Sequence, residues 1–262
     1  MEREWIKDYL KRIHAEFSIN PTAETLDTLI RSHIRSVPFE NLDVIDFNKI
    51  PELKEDVLFE KIVQKNRGGY CFELNKLFAA LLKALDYEVY SVAVRVMWNR
   101  DHIPPVSHMG LITMIQNQKY YCDVGFGGPG PKGLLALDGT AQNIDGECFR
   151  SLVMKDGDIL IERLSHNIWK QVLRFTDRKV RDEDFELLNF YCAKNEKVLF
   201  TKARVVNLCI PGGSKALQNQ ELTIRKNGEE QTIVYQTREE LEAGLKQEFG
   251  LCVTLPDHEK EG

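Results

Sequence analysis

Three side chains in this 262-residue sequence could together perform nucleophilic chemistry: Cys71, His108 and Asp123. Cys71 follows Gly68-Gly69 in "NRGGYCFELNKLF" and stands where an apolar-periodic helix begins. The free N–H groups and the positive dipole end of such a helix can lower a cysteine pKa from about 8.5 to roughly 3.5–7.5. The two glycines would allow a tight turn and the close approach of a substrate to the backbone. A lone cysteine is more often a buried structural residue, so the case depends on its partners.

A thiolate nucleophile needs a base, and the base needs a group that orients it. His108 begins one predicted strand and Asp123 ends the next. A turn at 116–119 would pair residues whose numbers sum to about 235, which leaves the two side chains offset along the ribbon. We therefore expect a bend or bulge at 125–128 to bring them together. His102, in a proline-rich loop, is the rival base.

Taken singly, each partner also has a structural interpretation, His108 as a satisfied strand histidine and Asp123 as a turn or capping residue. Cys122 should point to the opposite face of its strand from Asp123 and belong to the core. The remaining cysteines lack a glycine turn and a helix start: Cys148, Cys192, Cys209 and Cys252. Only the order Cys, His, Asp makes the set suggestive.

The composition is that of a globular protein, with 43% hydrophobic and 29% charged residues. A net charge of −5 argues against nucleic acid and anionic membranes as partners. The sequence contains no C-x-x-C or H-E-x-x-H motif, so we predict reduced thiols and no metal site. The start, "MEREWIKDYLKRI", lacks the apolar region of a signal peptide, and no apolar run is long enough to span a membrane. These features predict a cytoplasmic protein.

The periodicity of the apolar residues changes once along the chain. Helical spacing predicts helices over 3–15, from about 22, over 51–66 and over 71–86. Alternating β-branched and aromatic residues then predict strands near 87–98, 107–122 (as a pair), 151–164 (a hairpin with Asp156-Gly157 at its turn) and 169–176. A helix over 182–195, further strands and a final helix with Thr237 and Glu240 as a capping box complete the chain.

This order predicts an α+β fold: an N-terminal helical bundle, a central antiparallel β-barrel and a C-terminal α/β lid. The predicted units are 1–87 with the nucleophile, 88–196 with the histidine and aspartate, and 197–262.

Four separated motifs carry a resemblance to the arylamine N-acetyltransferase family. They are "VPFENLD" (37–43), "RGGYCFELN" (67–75), "SHMGLI" (107–112) and "DVGFGG" (123–128), in the order of the family. The weaker matches "YLKRI", "DFELLNFYCAKN" and "FGLCVTLP" extend the resemblance over nearly the whole chain. It implies the same three-unit fold, with a core like that of papain-type cysteine proteases.

The resemblance also implies roles for individual residues. Cys71 would be the acetyl-accepting nucleophile, His108 its base and Asp123 the residue that orients the base. Arg67 and Glu40 match a structural ion pair near the nucleophile. Four further residues match positions around the substrate pocket: Phe39, Phe126, Val106 and Ser107.

The implied reaction is a ping-pong transfer from acetyl-CoA, as co-substrate, to small aromatic amines, hydrazines or N-hydroxyarylamines, as in xenobiotic metabolism. CoA carries several phosphate charges while the chain is acidic, so basic side chains must face the cleft. The candidates are Arg100, Lys132 and Lys215.

Three other functions fit a Cys–His–Asp set on such a fold. The first is a cysteine hydrolase or a transglutaminase-like enzyme, and the second is an amide synthase that transfers a long polyketide acyl chain. The third is a binding protein that kept the fold without catalysis. The sequence leaves open the physiological amine, the acyl chain length and the oligomeric state.

Overall fold

Seven α-helices occur in the computed structural model, which describes residues 4–16 and 20–257. The first predicted residue of the first helix, Arg3, and the last five residues of the predicted third unit lie outside these ranges. The helices are α1 (Glu4–Arg12), α2 (Ala23–Ser36), α3 (Leu42–Ile45), α4 (Glu55–Phe59), α5 (Cys71–Ala84), α6 (Asp182–Lys194) and α7 (Arg238–Phe249).

The central strands form one antiparallel sheet of eight strands in the order β5-β4-β3-β2-β9-β8-β7-β6. They are β2 (Glu88–Val96), β3 (His108–Ile115), β4 (Gln118–Cys122), β5 (Leu135–Ala136), β6 (Gln142–Ile144), β7 (Glu147–Val153), β8 (Asp158–Ser165) and β9 (Ile168–Thr176). The side chain of Gln142 on β6 exchanges two 2.9 Å hydrogen bonds with the main chain of Ala136 on β5. This contact between the two edge strands nearly closes the sheet into a barrel, which confirms the predicted α+β fold class.

A second antiparallel sheet follows in the chain. It comprises β10 (Val205–Ile210), β11 (Gly213–Gln218), β12 (Glu221–Lys226) and β13 (Glu229–Val234), with α7 beside it. Its first strand pairs with β1 (Phe39–Glu40), which lies between α2 and α3, in the register Phe39 with Asn207. The C-terminal sheet is therefore hydrogen-bonded directly to the segment between α2 and α3.

Three clusters of buried apolar side chains stabilise these layers. The first joins the helices to the outer face of β3, which carries Met109, Leu111 and Ile115; the second fills the barrel, and the third lies between the C-terminal sheet and α7. The helix α5 is central to the first cluster, because eleven of its fourteen residues are buried. The residue that begins this helix, Cys71, is thus held by a fully packed element.

Several predicted elements are confirmed and others are corrected. Glycine at 157 has a φ of +86° at the turn of the β7–β8 hairpin, as the Asp-Gly signal predicts. The helix predicted over 51–66 is instead α4 followed by a π-helical turn, Glu60–Gln64. The turn between β3 and β4 is shorter than predicted, since Gln118 and Lys119 already lie in β4. The short strands β1, β5 and β6, the helix α3 and the strand β11 were not predicted, because two to six residues carry little periodicity.

The capping box predicted for the final helix forms only in part. The main-chain N–H of Glu240 donates to the Thr237 hydroxyl at 3.2 Å. The Glu240 carboxylate accepts from the N–H of Gln236 rather than from that of Thr237. Gly250 ends the helix with a φ of +72°, as predicted.

Candidate active site

Cys71 is the first residue of α5, directly after the capping residue Tyr70. The glycines before it are needed for a reason other than the predicted one. A Cβ at Gly68 would lie 2.1 Å from the carbonyl oxygen of Pro38, and one at Gly69 would lie 2.9 Å from Cβ of Glu73. Protein atoms therefore fill the space that we expected a substrate to approach.

His108 and Asp123 are in direct contact, with His108 Nε2 2.6 Å from Asp123 Oδ2. The register of β3 and β4 pairs Leu111 with Cys122, so the numbers sum to 233. Extended by one residue, this register places Asp123 opposite Gly110, two residues from His108 and on the same face. The contact is a diagonal neighbour across the ribbon. The bend or bulge predicted at 125–128 is therefore not required, and that prediction was wrong.

Two side chains that the sequence analysis did not identify also donate to Asp123, beside the main-chain N–H of Gly125, which donates to Oδ1 at 2.8 Å. Asn75, one turn after Cys71 on α5, donates from Nδ2 to Asp123 Oδ1 at 2.8 Å and accepts from the N–H of Val124 at 2.9 Å. The hydroxyl of Tyr121 donates to Asp123 Oδ2 at 2.7 Å. Asn75 thereby ties the nucleophile helix to the strand that carries the carboxylate.

Gly110 leaves room for the side chain of Tyr121. A Cβ at this position would lie 2.6 Å from the Tyr121 hydroxyl oxygen, so only glycine leaves the space that the hydroxyl occupies between strand β3 and Asp123. The i, i+4 spacing of Cys71 and Asn75 along α5, and a glycine two residues after His108, are the signals that could have indicated these partners.

The pKa of the Cys71 thiol differs from the one that the sequence predicts. Cys71 is 2% exposed, and burial raises the pKa of its thiol well above the ordinary value; the neighbouring Cys192 raises it further. Hydrogen bonds from the N–H groups of Met109 and Phe72 act in the opposite direction but are smaller. The predicted depression of the cysteine pKa is therefore wrong for this buried state: desolvation exceeds the stabilisation from main-chain dipoles.

The pKa of the Asp123 carboxylate follows from the hydrogen bonds that it accepts. Burial by itself raises the pKa of Asp123, but His108, Asn75 and Tyr121 together hold it below the ordinary value. Asp123 therefore remains ionised at neutral pH, and its oxygens are fully engaged. An ionised carboxylate at one ring nitrogen of His108 fixes which nitrogen carries the proton.

Cys71 and His108 both open onto one cavity of about 520 Å³, which we call the apolar cavity. Phe39, Phe126 and Ser107 line it, as predicted, whereas Val106 does not. The remaining walls are largely aromatic and aliphatic: Val96, Trp98, Tyr191, Val198, Leu199 and Phe200. The ring of Phe126 lies 5.2 Å from that of His108, centroid to centroid.

A second cavity of about 450 Å³ shares Phe39 and Phe126 with the first and extends along the segment 127–132. We call it the glycine-rich cavity. Basic side chains line it: Lys132, Arg163, Lys215 and Arg225. Two of the candidate CoA contacts, Lys132 and Lys215, thus lie in this cavity, whereas Arg100 lies in the apolar cavity.

The other predicted residues also have defined places. Arg67 and Glu40 form an ion pair, with Arg67 Nη2 2.7 Å from Glu40 Oε1. The rival base His102 is exposed and contacts Asp101 at 2.8 Å, so it lacks the buried carboxylate that His108 has. Cys122 is buried, consistent with a core residue, and all six cysteines are free thiols.

Within residues 4–16 and 20–257, no group of three or more His, Cys, Asp or Glu side chains is arranged to hold a metal ion. Within the same ranges, every helix is too short or too polar to cross a bilayer.

A thiol, an imidazole and an ionised carboxylate beside an apolar cavity form a site suited to acyl transfer or hydrolysis through a cysteine. Residues 22–258 match the family model described as N-acetyltransferase. A relative from Salmonella typhimurium, named arylamine N-acetyltransferase / N-hydroxyarylamine O-acetyltransferase, is 33% identical over 257 residues, which cover 95% of this chain and 90% of the relative.

Solved structures agree with the sequence match. An arylamine N-acetyltransferase from Salmonella typhimurium superposes with a TM-score of 0.91 at 29% identity, over 98% of this chain and 94% of its own. The arylamine N-acetyltransferase of Mycobacterium marinum in complex with CoA has a TM-score of 0.86 at 26% identity, over 94% and 93%. The chain belongs to the arylamine N-acetyltransferase family, a family of acyltransferases.

Proposed function

We propose that this protein transfers the acetyl group of acetyl-CoA to arylamines, arylhydrazines or N-hydroxyarylamines through an acetyl-cysteine at Cys71. The observation that carries the proposal is the shared opening of Cys71 and His108 onto the apolar cavity, with His108 bonded to the buried carboxylate of Asp123. The transfer follows a ping-pong order, because donor and acceptor react in turn with one sulfur.

In the first half-reaction His108 takes the proton of the Cys71 thiol as the sulfur attacks the thioester carbonyl. The raised pKa of Cys71 favours a neutral thiol at rest, so proton transfer accompanies attack. CoA leaves as its thiol, and the acetyl group remains on Cys71. The N–H of Cys71, which has no intrahelical acceptor at the first position of α5, is a donor for the developing oxyanion.

In the second half-reaction the amine attacks the acetyl-cysteine and His108 accepts its proton. Asp123 holds the imidazole in one tautomer and stabilises the imidazolium. An arylamine is weakly basic and uncharged at neutral pH, so it enters an apolar cavity at lower cost than a charged alkylamine. The rings of Phe39, Phe126, and Phe200 supply aromatic contacts for it.

The donor needs cations for its phosphates. Family membership and the CoA complex of the Mycobacterium marinum relative support acetyl-CoA as co-substrate. Of the two candidates in the glycine-rich cavity Lys132 is the stronger, because among the described residues it takes part in none of the ion pairs, whereas Lys215 pairs with Glu248 at 2.9 Å. Arg100 would act from the mouth of the apolar cavity.

The mass of the protein after mixing with acetyl-CoA tests the proposal. We expect an increment of about 42 Da that maps to Cys71 and is absent from Cys71→Ala. Cys192→Ala is the matched control, because this thiol is also buried and lies near Ser107, and it should keep the adduct. An adduct that persists in Cys71→Ala would remove Cys71 as the nucleophile.

Turnover with and without an acceptor separates transfer from hydrolysis. We expect CoA release to depend on an added aniline or hydrazide, and to be slow in water alone. Equal rates in both conditions would instead assign a thioester hydrolase. We also propose a cytoplasmic location, where the six free thiols would stay reduced.

A further inference from the structure

The turn that presents Cys71 is closed by a side chain from inside α5. Glu73, the third residue of the helix, is 2% exposed. Its Oε2 accepts from the N–H of Tyr70 at 3.0 Å, and its Oε1 accepts from Lys61 Nζ at 2.7 Å. Gly69 leaves the space in which this carboxylate folds back over the turn. Glu73 therefore links the residue before Cys71 to a cation on another element.

Lys61 is carried by a locally widened stretch of helix. It lies in the π-helical turn Glu60–Gln64, where the N–H of Lys65 donates to the carbonyl of Glu60. Such turns are rare in proteins overall, but those that do occur often lie at functional sites. Lys61 is 13% exposed at its side chain, and its Nζ lies 2.7 Å from both Glu73 and Asp43.

The contacts continue to the other side of the glycine turn. Arg67 bonds Glu40 at 2.7 Å and Asp43 at 2.9 Å. The main-chain N–H of Glu40 donates to the carbonyl of Gly69 at 2.8 Å. Three carboxylates and two cations thus surround the turn, and we call them the ion cluster: Glu40, Asp43, Lys61, Arg67 and Glu73.

We propose that Glu73 and Lys61 are positioning residues for the acyl transfer, which hold the turn before α5 so that the Cys71 thiol faces His108. This inference rests on the proposed function in taking Cys71 as the reacting group. Neither residue lines the apolar cavity, so each acts through the turn and not through contact with a substrate.

The charge of Glu73 changes in the neutral range. Burial raises the pKa of Glu73 to about 7, while Lys61 lowers it and Glu40 and Asp43 raise it. Arg67 faces the same carboxylates from the other side of the turn. Below about pH 7 Glu73 becomes protonated, and its contact with Lys61 is then no longer an ion pair.

The rate of Cys71 alkylation by iodoacetamide, mapped by peptide mass, tests the inference without any acyl donor. The full-length protein is compared with Glu73→Gln, Lys61→Met and the control Glu162→Gln. Glu162 is matched because it is buried and pairs with Arg150 at 2.7 Å, but on the barrel strand β8. We expect alkylation at pH 7 to slow about tenfold in the first two variants and to stay unchanged in the control.

The direction of the change distinguishes positioning from a charge effect. Removing a nearby negative charge would by itself lower the thiol pKa and speed alkylation, whereas misplacement of the thiol slows it. Wild-type or faster rates in both Glu73→Gln and Lys61→Met overturn the inference. Where Lys61→Met fails to fold, Glu73→Gln, which keeps the side-chain volume, decides alone.

Turnover gives an independent readout. We expect kcat to fall about tenfold in Glu73→Gln with the acceptor KM unchanged, and Glu73→Asp to recover part of the loss. A loss confined to KM also overturns the inference. If the wild-type protein forms no acetyl-cysteine, the proposed function fails, but the alkylation comparison still decides whether Glu73 positions the thiol.

Discussion

Two groups of buried charge flank Cys71, and they are built in opposite ways. Around Asp123 a single carboxylate is satisfied by the neutral donors Asn75 and Tyr121 and by the ring of His108. The ion cluster instead sets three carboxylates against two cations. Neutral donors fix an orientation without adding charge, so the imidazole is the one group beside Asp123 whose charge can change during a reaction. The opposed charges of the ion cluster instead hold the turn before α5 in place.

From this difference we expect substitutions around Asp123 to affect the reaction rate and substitutions in the ion cluster to affect the stability of the fold. Removing a neutral donor from Asp123 changes the orientation of His108 and leaves the fold intact. Removing one charge from the ion cluster leaves an uncompensated buried partner, which is costly. The variants below are ordered by the expected free-energy effect.

The largest effect is expected for Asp123→Asn. The substitution keeps the shape but presents an amide to His108 and removes the charge that stabilises the imidazolium, so kcat should fall about 10³–10⁴-fold. Steady-state kinetics measure the loss, and Asp177→Asn, at a partly exposed carboxylate bonded to Lys119, is the control. Turnover within tenfold of wild type would remove Asp123 from the site.

Glu40→Gln should lower the free energy of unfolding by about 3 kcal/mol. Glu40 is fully buried, and its loss leaves the guanidinium of Arg67 with Asp43 alone. Urea unfolding measures the change. The exposed pair of Lys54 and Glu52 provides the control, and Glu52→Gln should leave the midpoint where it is. A stable Glu40→Gln protein would show that the ion cluster does not brace the fold.

Asn75→Leu should lower kcat by about ten- to a hundredfold. The variant keeps the branched shape and the number of side-chain heavy atoms but loses the bond to Asp123 Oδ1 and the bond from Val124 N–H, so the carboxylate and α5 are no longer tied together. Kinetics with a saturating donor measure this loss. Because Asn75 itself lines neither cavity, an effect on acceptor KM alone would contradict the assigned role.

Tyr121→Phe removes one hydrogen bond to a charged group and should lower kcat by about tenfold or less. It also predicts a pH effect of known sign. The pKa of Asp123 is held below its ordinary value of 3.8, so its contribution to stability is present above that value and is lost as pH falls through the folded pKa. The variant raises the folded pKa, so acid unfolding should begin at a higher pH than in wild type. An unchanged acid midpoint would contradict this.

The last prediction concerns the pH dependence of stability that Glu73 causes. Its folded pKa of about 7 lies above the ordinary 4.5, so the unfolded chain binds fewer protons between these values and stability falls as pH rises through them. Glu73→Gln lacks this titration. Unfolding free energies from pH 4.5 to 7 should therefore decline more steeply in wild type than in the variant, and parallel curves would contradict the raised pKa.

The sequence by itself determined the elements with strong periodicity. The long helix that begins at Cys71 and the hairpin with Asp-Gly at its turn follow from apolar spacing and turn chemistry, which are local properties. The order of these elements predicted the α+β fold class. The motifs around Cys71, His108 and Asp123 also sufficed to indicate the family, because their residue types and order are carried by the chain itself.

Only the tertiary structure decided how these residues meet. The diagonal contact of His108 with Asp123 depends on a strand register in which the numbers of paired residues sum to 233 and not to 235. The sequence of the turn did not reveal this difference. The contacts of Asn75, Tyr121 and Lys61 could be recognised only in the folded structure, because they join elements that are separate in the sequence. The rise in the pKa of Cys71 has the same origin: a helix start favours a thiolate, but burial among neighbouring elements removes the water that would stabilise the charge, and desolvation is a property of the folded state alone.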